Sequence, residues 1–209
     1  MECLDAGYRE ISVQEWLRVW SDAYRADDEA LYSDLIRKHA SLSTSDFQKI
    51  GQWKEGVLGG DGSPNGRWKS NVASVAYDTW MEIASARPPC PDEGRVSEFL
   101  NEWSERKAMY RNRDGSVQEK KFGLSRTTTL LHFLSGAKYP IFDSRVERAV
   151  KGLIGQKVNR TKLGDYQQVV RPLVAELLRQ CQTGDLRKVD RALFAYGAWL
   201  AREDKKKHC

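Results

Sequence analysis

At 209 residues the chain can bury a substantial core, as one domain or as two small lobes packed together, and a single compact unit over 1–209 is expected. Its 34 basic against 29 acidic residues give a net charge of +5, which suits a polyanionic partner while staying modest for a nucleic-acid binder. Scattered cysteines (Cys3, Cys90, Cys181, Cys209), no membrane-length apolar run and no secretory signal at Met1 to Asp5 exclude a zinc site, a membrane protein and a secreted one, so a cytoplasmic protein without metal or cofactor is expected.

Ser12-Val13-Gln14-Glu15 reads as a capping box, and Trp16, Leu17, Val19, Trp20 and Tyr24 follow at helical spacing. A second helix is predicted over 28–39 with Leu31, Leu35 and Ile36 inward. A third begins near Ser45 and Asp46, with Phe47, Ile50 and Trp53 on one face. Residues 56–66, GVLGGDGSPNG, cannot form a regular element and predict an exposed loop. Its glycines match neither named nucleotide fingerprint, because no lysine and hydroxyl pair ends it in frame and no strand precedes it. Arg67-Trp68-Lys69 follows, where Trp68 can stack on a base or anchor the loop. Helices are predicted over 71–86, stopped by Arg87-Pro88-Pro89, and from Asp92 to about Met109, with Val96, Phe99, Leu100 and Trp103 buried.

From 106 to 126 the cations Arg106, Lys107, Arg111, Arg113, Lys120, Lys121 and Arg126 outnumber Asp114 and Glu119. A basic run is commonly a solvated face, but this one leads into Phe122-Gly123-Leu124-Ser125, a tight turn before an apolar helix. Ser125 is the expected cap of a helix starting at Arg126, whose open N–H groups and dipole attract a phosphate. Past that helix, Tyr139-Pro140-Ile141-Phe142 breaks the chain, and Asp143-Ser144 opens another, making Asp143 an N-cap candidate. Two long helices are predicted over 165–182 and 185–202, the second with Leu186, Val189, Leu193, Tyr196, Gly197 and Leu200 on one face, before a solvated tail at Lys205-Lys206-Lys207. No alternating run appears, so the fold is expected to be almost entirely α-helical.

A glycine-containing turn, an amphipathic helix and an aspartate opening the next helix together resemble the helix-hairpin-helix (HhH-GPD-like) DNA glycosylase superfamily, whose aspartate lies within V-D-[TS]-x-[VI]; here the element is Phe142-Asp143-Ser144-Arg145-Val146. The resemblance covers about 115–155 and is compatible with the rest, including Val189-Asp190-Arg191-Ala192-Leu193-Phe194-Ala195-Tyr196-Gly197. It implies an all-α, two-lobed fold, double-stranded DNA as partner, a monomer, and a nucleotide extruded into a pocket. It further implies Asp143 as the catalytic carboxylate, stabilising oxocarbenium-like charge or orienting water. Gly123, Leu124, Ser125, Arg126, Thr127, Lys120, Lys121 and Arg145 would hold the DNA backbone, and Trp53, Lys54, Trp68 and Tyr139 are candidates for the base pocket.

The chain departs from the family in two places. Ser125 stands where a second hairpin glycine is usual, and Arg126, Thr127 and Thr128 stand where bifunctional members place a lysine, which favours monofunctional hydrolysis; Lys54, Lys120 or Lys121 could still approach from elsewhere. Cys181 and Cys209 alone cannot supply the iron–sulfur cluster of some relatives. His132, between Leu131 and Phe133, reads as a structural residue. The compact size and altered hairpin suggest defence against modified bacteriophage DNA, although the sequence does not choose the base. A non-catalytic hairpin protein that binds DNA and a helical adaptor without a nucleic-acid role are the alternatives.

Overall fold

The computed structural model describes residues 3–5, 10–24, 29–55, 74–75, 77–111 and 116–206, and these are predominantly helical. Where one compact unit was expected, contacts divide the chain into a unit made of both ends, Met1–Ala26 with Ala137–Cys209, and a middle unit, Asp27–Gly136.

The first part of the end unit is a short antiparallel pair, β1 (Cys3–Asp5) and β2 (Glu10–Ser12), with Leu4 opposite Ile11, followed by α1 (Val13–Ala23). Ser12 caps α1 as its sequence predicts, its Oγ accepting from the Glu15 amide at 3.2 Å.

In the middle unit, α2 spans Glu29–Arg37 and α3 spans Thr44–Glu55. Ser43 and Asp46 bond reciprocally, the Ser43 amide to Asp46 Oδ2 at 2.9 Å and the Asp46 amide to Ser43 Oγ at 3.3 Å, which starts α3 slightly upstream of the predicted point. The predicted loop at 56–66 and Trp68 lie outside the described residues. Strand β3 (Ser74–Val75) precedes α4 (Tyr77–Ala86), and α5 (Val96–Glu105) leads into β4 (Lys107–Arg111) and β5 (Val117–Lys121) before α6 (Leu124–Leu134).

Two expectations are corrected here. The helix predicted from 71 starts at Tyr77, because Ser74 and Val75 pair with Arg111 and Tyr110. The helix predicted to reach Met109 ends at Glu105, and Lys107 to Arg111 pair antiparallel with Lys121 to Val117. Neither strand announces itself: among the described side chains of β4, Ala108 and Tyr110 are buried while Lys107 and Met109 are exposed, and VQEKK in β5 has almost no apolar face from which a period of two could be read.

Helix α6 is buried from Thr127 to Leu134 and forms the centre of this unit. Its three consecutive threonines are tolerated there because each hydroxyl bonds a carbonyl in the preceding turn: Thr127 to Gly123, and Thr128 and Thr129 to Ser125, at 2.9–3.1 Å.

The end unit resumes with α7 (Ser144–Ile154), α8 (Leu163–Asp165), a π turn at Tyr166–Val170, α9 (Arg171–Gln180) and α10 (Leu186–Lys206). Pro172 has no N–H for the carbonyl four residues back, and the π turn lies where the helical ladder resets. Trp16, Trp20 and Trp199 pack around Tyr196 with ring centroids 5.2–5.8 Å apart. Helix α10 crosses α7 at Gly197, where a Cβ would stand 1.9 Å from the Arg145 carbonyl oxygen. Glycine is therefore required for the long C-terminal helix to touch the first turn of α7.

Candidate catalytic and DNA-binding site

The entrance to α6 is built by closing a ribbon. The chain leaves α5, forms the β4–β5 hairpin and returns so that the Phe122 amide donates to Arg106 O at 2.7 Å and the Gly123 amide to Ser104 O at 3.0 Å. Those two bonds bring the end of α5 and the start of α6 together as a short turn would, with the ribbon projecting between them. Gly123 has φ of 86°, a conformation glycine reaches without strain, and it is the N-cap of α6.

Ser125 is not the cap that the sequence suggests. The helix begins two residues earlier than expected, so Ser125 sits inside the first turn and no side chain caps the helix. The Arg126 and Thr127 amides donate to Gly123 O, both at 3.1 Å. Among the described residues, the amides left at the mouth are those of Leu124 and Ser125, while the Leu124 side chain is core. Thr127 is fully buried and contributes packing rather than a phosphate contact.

Arg126 is corrected most sharply. Its Nε donates to Glu55 Oε1 at 2.7 Å, its Nη2 to Glu55 Oε2 at 3.3 Å and its Nη1 to the Tyr110 hydroxyl at 3.1 Å. The side chains are only 19% and 7% exposed, so this is a largely desolvated, two-pronged ion pair. Burial works to lower the Arg126 pKa, but the charge and hydrogen bonds of Glu55 outweigh it and raise it. Tyr110, whose hydroxyl also donates toward the carbonyls of Lys121 and Phe122, locks the guanidinium to the base of the ribbon. Burial raises the Tyr110 pKa as well. A guanidinium so held is a structural clamp behind the turn. Of the other cations, Lys121 pairs with Glu105, and Lys120 lies 5.9 Å from the Tyr110 ring centre on the exposed ribbon.

In the end unit, Asp143 caps α7 as its position predicts. Its Oδ1 accepts from the Arg145 amide at 2.9 Å and the Val146 amide at 3.1 Å. A carboxylate so gripped is oriented by two backbone donors and by the positive end of the helix dipole. The lead-in is buried: Tyr139, Pro140, Ile141 and Phe142 all lie in the core, and Phe142 stacks on Tyr166. Arg145 is exposed and lies over the Phe194 ring at 4.1 Å, so its position is set by α10. Beside Ser144 is a hollow of about 460 Å³ whose basic wall is Arg148, Lys151, Lys157 and Arg160, with Glu147 and Asp204 opposing them. Arg148 and Arg160 pair with Asp204 and Glu147 at 3.6 and 3.5 Å, leaving the lysines to supply the wall's excess charge.

The base-pocket candidates fare unequally. Trp53 packs into the middle unit with Tyr32 and Phe133 at 6.0 and 5.2 Å, and Lys54 follows it half-exposed on α3. His132, reserved for structure by the sequence, is fully buried and shares a 2.8 Å hydrogen bond with Tyr32. Tyr139 is buried in the end unit under the Arg171 guanidinium at 4.9 Å.

Sequence reasoning missed Glu55, Tyr110 and Asp190. Only Asp190 left a readable sign, a carboxylate in register with Leu186, Leu193 and Tyr196 on the buried face of α10. Among the described residues no group of three or more His, Cys, Asp or Glu could hold a metal, and no helix is long and apolar enough to cross a membrane. No family model matches the chain, and neither a curated protein nor a solved structure matches it.

Proposed function

We propose that the chain is a monofunctional DNA glycosylase of the helix-hairpin-helix type, hydrolysing the N-glycosidic bond of a base flipped out of double-stranded DNA. The observation that carries the reading is Asp143, a carboxylate fixed through Oδ1 by the Arg145 and Val146 amides at a helix start, behind a rigid buried lead-in. Cleavage of a glycosidic bond builds positive charge on the sugar. A pre-oriented carboxylate stabilises that charge without having to reorganise, and can also order the attacking water. The open mouth of α6 at Gly123 and the basic hollow beside Ser144 support a phosphate-rich partner.

The same two hydrogen bonds also suit a plain helix cap, which keeps a non-catalytic DNA-binding protein as the second reading. The test is base release from a panel of defined lesions and phage-modified genomes, with wild type and Asp143→Asn, scoring abasic sites by alkaline cleavage. Release that disappears in the variant while DNA affinity persists supports the glycosylase and names its base. Release confined to phage-modified DNA adds the defence role. Salt-sensitive binding without release from any substrate leaves the non-catalytic reading.

A further inference from the structure

One face of α7 repeats at helical spacing: Ser144, Glu147 with Arg148, and Lys151 with Gly152 all line the hollow of about 460 Å³. From Ser144 to Lys151 that stripe is about 10 Å long at 1.5 Å per residue, and it starts at the residue after Asp143. The loop after α7 supplies a second wall. Gly155, at φ of 68°, closes the helix in the left-handed conformation with its amide donating to Lys151 O at 2.9 Å, and beyond it Lys157 and Arg160 line the same hollow.

This loop is held on either side of Lys157. Val158 is 4% exposed, the Asn159 amide donates to Asp165 Oδ2 at 2.7 Å, and the Arg160 amide donates to Glu147 Oε1 at 3.1 Å. Leu200, which also lines the hollow, lies so close to α7 that a Cβ at Gly152 would stand 2.7 Å from its Cδ1.

The charges around the hollow do not balance. Four cations face two carboxylates, and both carboxylates are engaged by arginines: Glu147 by Arg160 at 3.5 Å and Asp204 by Arg148 at 3.6 Å. Among the described residues Lys151 and Lys157 form no ion pair, so two like charges share one concavity. A solvated face spreads its lysines among carboxylates. Two uncompensated lysines turned into a walled hollow instead concentrate positive potential where an anion with more than one charge centre can enter.

We infer that this hollow is the main DNA-backbone site of the chain, in which Lys151 and Lys157 each neutralise one phosphate of the strand that passes Asp143. The stripe is long enough, since one strand carries a phosphate about every 3.4 Å of duplex axis. The inference rests on DNA being the partner, as the glycosylase reading requires, and it moves the grip away from the hairpin, where Arg126 is committed to Glu55 and Lys121 to Glu105. Contacts of this kind fix register on the duplex without reading its bases.

The test measures the affinity of the full chain for a short duplex against salt. Each phosphate neutralised contributes about 0.9 to the slope of log affinity against log salt, so the double variant Lys151→Gln, Lys157→Gln should flatten that slope by about 1.8. Both side chains are exposed, and the melting temperature should stay within about 2 °C of wild type. In base release the same variant should raise the half-saturating DNA concentration several-fold. The variant Lys120→Gln, Lys121→Gln removes the same charge from the ribbon and should flatten the slope less than half as much. A slope unchanged by the α7 pair overturns the inference, and so does an equal loss from the ribbon pair, which would show an effect of net charge alone. In nitrogen-15-labelled protein the duplex should shift the Ser144, Gly152 and Val158 amides; shifts there with inorganic phosphate and none with duplex would make the hollow a small-anion site and overturn it as well. Wild type that fails to bind DNA at all overturns the inference and the glycosylase reading together. Wild type that binds with the expected slope loss but releases no base leaves the inference standing and sinks the glycosylase reading alone.

Discussion

Replacing Glu55 by Gln removes one charge and little else, because the amide has the same shape and can still accept one bond from Arg126. The guanidinium would be left largely buried, held by Tyr110 and a neutral group in place of two charge-assisted bonds at 2.7 and 3.3 Å. Breaking a fully buried pair costs about 3–5 kcal/mol. With the arginine side chain still 19% exposed, about 2–4 kcal/mol is the reasonable scale here. At about 2–4 °C per kcal/mol for a chain of this size, the melting temperature should fall by roughly 5–15 °C. Replacing both residues by Met should recover most of the loss, because no charge is then stranded, and the double-mutant cycle should return a coupling above about 1.5 kcal/mol. The deficit should persist in 1 M salt, which screens exposed pairs far better than buried ones. A melting temperature for Glu55→Gln within about 2 °C of wild type would refute the clamp. So would a salt slope of DNA affinity that becomes shallower in the double Met variant, since that would make Arg126 a phosphate ligand after all.

At Gly197, alanine would put a methyl group 1.9 Å from the Arg145 carbonyl and force α10 away from α7, at a cost of about 3 kcal/mol; thermal melting should show a drop on the order of 6–12 °C, and a drop under about 2 °C would show that the crossing is loose. Asp190 gives a stability prediction with a definite sign. Its proton is kept in the fold up to about pH 8 but lost from the unfolded chain near pH 4, so its contribution is complete below about pH 4, declines through the interval and is constant above about pH 8. Asp190→Asn escapes that decline. Its stability relative to wild type, measured by urea unfolding, should rise by about 1.4 kcal/mol per pH unit between pH 5 and 7, and a constant difference would place the folded-state pKa near its ordinary value.

The helices were legible because burial writes a period of 3.6 into the sequence, and Ser12 and Asp143 were legible because capping needs a short polar acceptor at one defined position. The ribbon was not. A small three-stranded sheet, β3–β4–β5, with one face in solvent needs few apolar residues, and KAMYR and VQEKK read as the end of a helix and a basic loop. Ser125 misled for a related reason. Its residue type is a good cap, but where α6 starts is fixed by the Phe122 and Gly123 amides donating to the carbonyls of Arg106 and Ser104, which sequence distance conceals until the ribbon between them is known. Arg126 shows the same limit in its electrostatic form: a cation in a basic run looks available for phosphate, and only the fold reveals that Glu55, 71 residues away, has already neutralised it.

These corrections narrow the chemistry. Once Arg126 and Thr127 are assigned to packing, the start of α6 can meet a phosphate through the backbone amides of Leu124 and Ser125, contacts that carry no information about base sequence. A glycosylase suits that division of labour, because it must grip DNA at many sequences and discriminate at the one base it extrudes. The sharper constraint lies in the other unit. The Asp143 carboxylate has its Oδ1 committed to α7, the segment leading to it is held at the Pro140 carbonyl by the buried Tyr166 hydroxyl, and α10 approaches α7 only because residue 197 is glycine. A bare helix cap would need neither of the last two. That the π turn braces the approach to the capping aspartate, while α10 closes on the first turn of its helix, is why Asp143 is proposed as the reacting group.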